Sequence, residues 1–405
     1  MQYYKRVLEK RILEISKQFP VLLLTGPRQV GKTTLLHHLC GEERAYASLD
    51  DLSLRELARE DPVLFLKQFK PPVLIDEIQY APELFSYIKI NVDKEQKNGL
   101  YWLTGSQQYQ MMQGISETLA GRVAILKLLG FSQREKKRNI TGAQPFLPSE
   151  NHKSQNPINM DIDSFYETVW RGSFPKLITD PNVEVPVFYN SFLQTYLQRD
   201  VRDLTQVGDI EQFTRFVRAC AARTGQMLNY SELARDVDIS VMTAKNWLSI
   251  LIASFQVILL PSYHTNITKR LIKTPKLYFL DTGLCAFLTG WSSPRTLRNG
   301  AMNGAFVETY VVTEILKSWW FQALEIPMYY YRDKDGVEID LLIDKDNILY
   351  PIEIKSAASI KRIWAKGFQA LDRLNLQRGP GAVLCLADKA QFIEDKVTAI
   401  PITEI

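Results

Sequence analysis

Glycine, lysine and threonine recur near the N-terminus at a spacing that suits phosphate binding. The segment GPRQVGKT follows the apolar run VLLLT, so Gly26, Gly31, Lys32 and Thr33 fill the pattern GxxxxGK(S/T). In such a loop the backbone N–H groups surround the phosphates, the lysine reaches the β and γ oxygens, and the hydroxyl ligates Mg²⁺. The helical pattern LLHHLC continues from the loop. This strand, loop and helix order favours a nucleotide site over a chance glycine-rich turn.

Two further apolar runs end in polar residues that suit nucleotide hydrolysis. VLIDE places Asp76, which can hold Mg²⁺ through water, before Glu77, which can orient the attacking water. The alternative is an acidic strand end that caps the next helix. LTGSQ contains Thr104, Ser106 and Gln107, and the sequence does not choose which of them senses the γ-phosphate. The residues expected to contact nucleotide are Gly26, Pro27, Arg28, Gln29, Val30, Gly31, Lys32, Thr33, Thr34, Asp76 and Ser106.

Acidic residues and a lysine alternate with apolar residues near the C-terminus. The segments VEIDLLID and PIEIKSA predict a strand pair in which Glu338 and Asp340 share one face, as do Glu353 and Lys355. With Glu308 from the preceding helical segment, Asp340 and Glu353 could bind one or two Mg²⁺ ions. Lys355 would then position water or stabilise negative charge. The alternative is an amphipathic hairpin with its charges on the wet face.

A helix–turn–helix pattern precedes this C-terminal region. YSELARDVDIS and VMTAKNWLSILIASFQVILL predict the two helices, and LLPSYH and PKLYFLD predict two strands. Thr243, Lys245 and Asn246 lie at the start of the second helix, where side chains could meet bases or phosphates. A basic run that suits phosphate contacts follows: Lys269, Arg270, Lys273 and Lys276. The alternative is a protein-packing module with a solvated basic hairpin.

Length and composition limit what these elements can belong to. The chain has 405 residues, which predicts two or three domains, and 46% hydrophobic with 23% charged residues excludes a collagenous or disordered chain. A net charge of +4 demands neither a nucleic-acid nor a membrane partner. Four well-separated cysteines disfavour a zinc site and fit a cytoplasmic setting. The longest apolar stretch, residues 247–260, is shorter than the roughly 20 residues that cross a bilayer.

The elements that must position the N-terminal motifs alternate between strand and helix. Residues 21–25, 46–49, 73–75, 101–104 and 123–128 are strand-like, and amphipathic segments separate them. This alternation predicts an α/β fold in which helices cover a parallel sheet.

The first third of the chain resembles the AAA+ ATPase superfamily, through GPRQVGKTT, VLIDE and LTGSQ in that order. The resemblance implies ATP as substrate, Mg²⁺ as cofactor, a lid domain, and a dimer or ring in which an arginine reaches a neighbour's γ-phosphate. Arg122 matches that arginine, with a structural ion pair or a cap as the alternative. Arg199 is the best position for a lid arginine, and its alternative is an ion pair with Asp200.

The C-terminal segment resembles the PD-(D/E)xK restriction-endonuclease-like superfamily. Asp340 matches the first acid, and Glu353, Ile354 and Lys355 match the ExK motif, whereas Ile339 stands in place of the usual proline. The whole order of segments resembles a group of prokaryotic ATPases with a largely uncharacterised C-terminal half.

Five regions follow from these patterns. We expect an AAA+ core at 1–132, a polar linker or long loop at 133–161, a helical connector or lid at 162–222, a winged-helix DNA-binding unit at 223–290 and a nuclease-like α/β domain at 291–405. The leading hypothesis is a cytoplasmic Mg²⁺-dependent ATPase that couples nucleotide state to DNA engagement, with metal-dependent DNA cleavage as a further activity. The alternative is an ATP-controlled regulatory or assembly switch with a catalytically silent scaffold. A homo-oligomer is compatible with both hypotheses, and neither involves a membrane.

Overall fold

The N-terminal region is built around a parallel sheet. The computed structural model describes residues 3–105, 118–150, 160–197, 209–265, 273–374 and 376–405. Within these ranges the first sheet has five strands in the order β2-β3-β4-β1-β5. Their bounds are Val21–Thr25 (β1), Ala45–Ser48 (β2), Val73–Asp76 (β3), Tyr101–Gly105 (β4) and Val123–Lys127 (β5). All four strand pairs are parallel, so the predicted α/β core is confirmed.

Helices cover both faces of this sheet. They are Leu8–Ser16 (α1), Lys32–Leu39 (α2), Leu52–Glu60 (α3), Pro62–Gln68 (α4) and Leu84–Glu95 (α5). Along β1, Leu22 and Leu24 pack into one apolar cluster, whereas Val21 and Leu23 pack into another. Because successive strand residues point to opposite faces, the sheet separates two cores. This double burial explains the uninterrupted apolar sequence VLLL.

The segment after β5, for which we expect a polar linker or a long loop, packs against distant parts of the chain over residues 133–150. A short helix, Gln133–Lys136 (α6), begins at Ser132 with a capping box in which Glu135 completes the second hydrogen bond. Glu135 is fully buried, and the Phe146 amide donates to Ser318 Oγ at 2.9 Å. Local composition concealed this packing because the partners lie far away in sequence. Residues 151–159 lie outside the described ranges.

The middle of the chain is helical, as predicted. Its helices are Ile162–Arg171 (α7), Pro175–Thr179 (α8), Val185–Tyr196 (α9), Ile210–Ala221 (α10), Tyr230–Val237 (α11) and Val241–Ala253 (α12). A small antiparallel sheet follows in the order β6-β8-β7, from Gln226–Met227 (β6), Val257–Leu260 (β7) and Lys276–Phe279 (β8). The last three of these helices, α10, α11 and α12, therefore accompany a three-stranded sheet.

The C-terminal region combines one long helix with a mixed sheet. Thr282–Leu288 (α13) and Pro294–Arg298 (α14) lead to Asn303–Trp320 (α15). The sheet strands are Met328–Arg332 (β9), Glu338–Lys345 (β10), Ile348–Ile354 (β11), Gln377–Arg378 (β12), Gly381–Cys385 (β13), Gln391–Glu394 (β14) and Val397–Pro401 (β15). Their order is β14-β15-β13-β11-β10-β9, with β12 beside β11. Of the helices described, none combines the length and the apolar character of a bilayer span.

A buried ion pair links the N-terminal segment to the phosphate loop and to the segment after β5. Arg6 Nε lies 3.0 Å from Glu135 Oε1, and both side chains are almost inaccessible to solvent. The same guanidinium donates to Val30 O at 3.0 Å and to Leu129 O at 2.8 Å. Glu135 also accepts the Val7 N–H at 2.9 Å. One side-chain pair therefore links the phosphate loop, the end of β5 and α6.

Glu135→Gln should destabilise the fold by about 3–5 kcal/mol, because it leaves the buried Arg6 guanidinium without its counter-charge. Urea denaturation followed by circular dichroism would measure the change. Lys10→Gln is the matched control, since Lys10 lies 3.7 Å from Glu14 and its side chain is 84% exposed. We expect less than about 1 kcal/mol there. A Glu135→Gln protein as stable as the control would contradict the argument.

Candidate functional site

The phosphate loop depends on glycine at two positions. Gly31 has φ of 90° and forms the left-handed N-cap of α2. Gly26 has φ of 151°, and a Cβ atom there would lie 2.0 Å from Leu128 O. A larger residue at position 26 would therefore displace the loop from β5. This close approach lets the backbone curve around an anion at the helix N-terminus.

Lys32 and Thr33 lie at the start of α2 and face the loop and the sheet edge. Lys32 is 6% exposed, and its Nζ donates to Gly26 O at 2.9 Å and to Pro27 O at 2.8 Å. Thr33 Oγ1 donates to Asp76 Oδ1 at 2.9 Å. Two residues predicted to share a Mg²⁺ ion are thus in contact. They lie together because α2 begins at the carboxyl end of β1 and Asp76 ends the parallel strand β3.

Asp76 is buried at the carboxyl end of β3. Burial raises the pKa of its carboxyl group, against hydrogen bonds from the hydroxyls of Thr104 and Thr33 that lower it. Hydroxyl and carboxylate oxygens are the ligands that Mg²⁺ prefers. Thr33 and Asp76 therefore fit this ion and would hold it beside a bound triphosphate.

Glu77 adopts a backbone conformation that is uncommon outside glycine. Its φ is 56° and its ψ is 46°, and its backbone N–H donates to Thr104 Oγ1 at 3.2 Å. The side-chain amide of Gln79 donates to the Glu77 carboxylate. Strained residues of this kind persist where their surroundings fix them, often at active sites. Thr104 contacts both Asp76 and Glu77, whereas Ser106 and Gln107 lie outside the described residues.

A cavity of about 510 Å³ adjoins the loop and is large enough for a nucleotide. Besides loop residues and Glu77, it is lined by Tyr3, Tyr4, Arg6, Phe131, Pro175, Lys176, Thr179 and Thr195. The Tyr4 and Phe131 rings lie 5.4 Å apart and offer an aromatic wall. The sequence patterns missed these N-terminal tyrosines because they precede the motif. Lys176 supplies a cation from the helical region, whereas Arg199, predicted for that role, lies outside the described residues.

Arg122 is paired with an acid on its own chain. Its Nε lies 2.6 Å from Asp93 Oδ1 and its Nη2 lies 3.1 Å from Asp93 Oδ2. The hydrogen bond from Arg122 lowers the pKa of Asp93. This is the structural ion pair that the sequence left as the alternative, and a role toward a neighbouring subunit stays a prediction.

Three of the predicted DNA-contacting residues lie in the first turns of α12. Ser240 caps this helix, and its hydroxyl lies 2.8 Å from that of Thr243. Lys245 and Asn246 are exposed, and so is Lys273, which precedes β8. The other two basic residues of the prediction, Lys269 and Arg270, lie outside the described residues.

The C-terminal acids meet as the strand pattern predicts. Asp340 Oδ2 accepts the Ile354 N–H at 2.8 Å, because β10 and β11 are antiparallel neighbours. Lys355 Nζ lies 2.5 Å from Glu353 Oε1 and 3.7 Å from Asp340 Oδ2. The fourth predicted residue, Glu308, lies close enough for its pKa to respond to Asp340.

Lys276 lies inside this C-terminal cluster, not on a basic surface, so its place in the predicted basic run is wrong. Its side chain is 5% exposed, and its Nζ lies 3.1 Å from Glu308 Oε1 and 2.7 Å from Glu338 Oε1. Tyr278, two residues further along β8, donates to Glu308 Oε1 at 2.5 Å. The two-residue step of β8 turns both side chains toward α15.

Burial and neighbouring charges shift the pKa values of several groups in this cluster. Burial, with help from Asp340, raises the pKa of Glu308 to about 6 and that of Glu353 to about 7. Burial alone would lower the pKa of Lys276, but the negative charges of Glu308 and Glu338 outweigh it and raise that pKa. The cluster thus holds Lys276 firmly in its charged form.

The arrangement does not fit the divalent ion that the nuclease resemblance implies. Across the described ranges, no three or more His, Cys, Asp or Glu side chains are grouped so that they could hold a metal. Instead, Lys276 contacts Glu308, and Lys355 contacts Glu353 and lies near Asp340. The Lys276 ammonium therefore already compensates Glu308, one of the expected metal ligands.

Family models match three regions of the chain, and only the model that matches the N-terminal region carries a functional description. Residues 18–137 match a family model described as an AAA domain. Residues 162–295 and 303–405 match models described as domains of unknown function, DUF8612 and DUF4143.

Similar proteins cover most of the chain. The "Uncharacterized protein Rv2008c" of Mycobacterium tuberculosis is 28% identical, over 99% of this chain and 84% of its own length. A solved Walker-type ATPase of Pyrococcus abyssi is 17% identical, covers 71% of this chain and 96% of its own, and has a TM-score of 0.43. The Thermotoga maritima RuvB Holliday junction branch migration motor is 17% identical, covers 62% and 89%, and has a TM-score of 0.32.

Proposed function

The chain is an ATPase with an AAA-type P-loop domain, and we propose that its nucleotide state controls how the C-terminal two thirds engage DNA. The observation that supports the hydrolytic roles is the set of contacts that joins Thr33, Asp76, Thr104 and Glu77 at one sheet edge. Mg²⁺, when bound, would neutralise charge on the β and γ phosphates. Thr33 and Asp76 would hold it there.

Phosphate binding and proton transfer would depend on the side chains at this edge of the parallel sheet. Lys32 would turn from the carbonyl oxygens of Gly26 and Pro27 to the phosphate oxygens, which are stronger acceptors because they are charged. Glu77 would accept a proton from the attacking water. Thr104 keeps Asp76 and the Glu77 backbone at a fixed separation, so that metal ligand and base act on one phosphate.

Lys32→Ala should abolish ATP binding, whereas Glu77→Gln should bind ATP and hydrolyse it at least about 100-fold more slowly, because a general base is lost. Fluorescent-nucleotide titration measures the binding, and phosphate release measures the rate. Lys10→Ala, on the exposed face of α1, serves as the control and should match the parent. Hydrolysis at the parental rate by Lys32→Ala would refute the assignment of this site.

Assembly into a dimer or ring is part of the proposal. Arg122 is about one-third exposed on its own subunit, and rotation away from Asp93 would free its guanidinium for a neighbour's γ-phosphate. The same surface also suits the competing hypothesis, in which ATP controls assembly or a protein contact and no DNA is bound. The two hypotheses differ in whether α12 contacts nucleic acid.

The exposed face of α12 supports DNA binding. Met242, Lys245, Asn246 and Ser249 recur at helical spacing and are all exposed, which leaves one side of the helix open to a groove. The helices α10, α11 and α12 with the sheet β6-β8-β7 have the order of a winged helix. We infer that this unit lays α12 in the major groove, with Lys273 near the backbone.

Lys245→Glu should weaken duplex DNA binding and reduce the slope of log K against log salt by about one, since one phosphate contact is lost. Fluorescence anisotropy over a salt series, with and without ATP, measures both quantities. Lys10→Glu carries the same charge change on α1 and should leave affinity within about twofold. Unchanged affinity in Lys245→Glu would reject this interface. ATP-dependent assembly without any DNA binding would favour the regulatory switch.

The C-terminal cluster is the second part of the proposal. Asp340, Glu353 and Lys355 converge as DNA cleavage would require, but the Lys276 ammonium already pairs with Glu308 and Glu338. We infer that this region is a catalytically silent scaffold in the described arrangement. Its closed ion pairs serve to hold β8, α15 and β10 together.

The parent protein should therefore leave plasmid and branched DNA intact in Mg²⁺ or Mn²⁺, with or without ATP. Gel electrophoresis over several hours would measure nicking and linearisation. The comparison proteins are Asp340→Ala and Lys355→Ala, since a contaminating nuclease would act equally in all three preparations. Cleavage by the parent that disappears in both variants would overturn the proposed silence.

A further inference from the structure

Lys276 reaches the C-terminal cluster from outside the C-terminal sheet. It lies on β8, whose strand partners are β6 and β7 in the small sheet, whereas its carboxylate partners lie on α15 and β10. Two further contacts fix that approach. Tyr278 donates to Glu308, and Tyr330 on β9 donates to Thr274 O at 2.5 Å. The cluster is thus completed by a different structural unit.

The position of this ammonium group matches that of a bridging cation. It lies within 3.1 Å of carboxylate oxygens from two elements, Glu308 on α15 and Glu338 on β10. Glu338 lies two residues before Asp340, on the same face of the strand. Lys355, by contrast, lies at the other end of the cluster, beside Glu353 and Asp340. The two lysines therefore divide the acids between them.

We propose that the Lys276 ammonium group takes the place of a divalent cation in this cluster and excludes divalent ions from it. The proposal rests on the scaffold function inferred above and names the residue that produces it. A divalent ion that used Glu308 would lie within a few ångströms of the ammonium, where like charges repel strongly in a buried site. Lys276 also occupies oxygens that such an ion would need.

The acids of the cluster, all within the described part of the chain, are not grouped as a metal site while the ammonium lies between Glu308 and Glu338, and removing the charge of Lys276 should allow them to close on a divalent ion. Lys276→Met keeps the length and apolar stem of the side chain but leaves Glu308 and Glu338 without their counter-charge. Mn²⁺ binding is measured without nucleotide by electron paramagnetic resonance of the free ion. All proteins carry Thr33→Ala, which removes the hydroxyl ligand of the phosphate loop.

We expect Lys276→Met to bind one Mn²⁺ ion at least tenfold more tightly than the protein that retains Lys276. Adding Asp340→Asn to Lys276→Met should remove that ion, because a predicted ligand is lost. Lys276→Arg keeps the positive charge and should behave like the parent. Circular dichroism establishes that each variant is folded, and Lys276→Gln, which retains two hydrogen-bond donors, replaces Lys276→Met if that protein does not fold.

Two results of the Mn²⁺ measurement would overturn the proposal. One is Mn²⁺ binding by the parent that matches the Lys276→Met affinity and depends on Asp340. The other is a folded Lys276→Met or Lys276→Gln protein that binds no ion. Metal binding is read separately from DNA cleavage, so the failure of this inference can be told apart from the failure of the scaffold function. Asp340-dependent cleavage by the parent in Mg²⁺ or Mn²⁺ would refute both the scaffold function and the exclusion of divalent ions, whereas a folded Lys276→Met protein that binds no ion would refute the inference about Lys276 alone.

Discussion

A single buried guanidinium, that of Arg6, constrains the N-terminal half of the molecule. Guanidinium carries five N–H donors and cannot lose its charge, so burial is tolerable only where acceptors are fixed around it. Here they are Val30 O in the phosphate loop, Leu129 O after β5 and the Glu135 carboxylate. Because these acceptors belong to three segments, any movement of the loop must be accommodated at α6 as well.

The constraint continues from α6 into the long helix α15. The Gln133 N–H donates to Glu314 Oε2 at 2.8 Å, and Lys317 Nζ donates to Phe131 O at 3.1 Å. Glu308 lies six residues before Glu314 on the same helix, or about 9 Å along its axis at about 1.5 Å per residue. A shift of α15 would therefore move a carboxylate of the C-terminal cluster. In the coupling proposed above, this helix would connect the segment after β5 to the C-terminal cluster.

Local patterns predicted the parts of the structure that short segments determine. The runs VLLLT and VLIDE become β1 and β3, and their parallel pairing through β4 brings Thr33 to Asp76. The alternation in β10 and β11 likewise predicts that Asp340 and Lys355 meet. In each case chain geometry alone sets the outcome, because parallel strands end at one edge and strand residues alternate.

Long-range partners escaped the same patterns. In the sequence, Glu135 is one charge in a polar stretch, and no residue close to it in sequence indicates that it pairs with the buried Arg6. Lys276 looked like the last member of a basic run, although its strand faces α15. Sequence patterns predict a charged residue to be exposed unless its counter-charge is known. Here each counter-charge lies in a segment that is distant in sequence.

The two acidic sites differ in their neighbours more than in their own chemistry. Asp76 accepts hydrogen bonds from the neutral hydroxyls of Thr33 and Thr104, so its negative charge is left to attract a cation that arrives with the nucleotide. Glu308 contacts the Lys276 ammonium and a tyrosine hydroxyl, so its charge is already balanced within the fold. A carboxylate can bind a metal ion where no side chain balances its charge. Where a lysine balances that charge, the carboxylate instead links the two structural elements of the ion pair. By this criterion the N-terminal edge is left open to a cation that arrives with nucleotide, and the C-terminal cluster fits the scaffold role proposed for it.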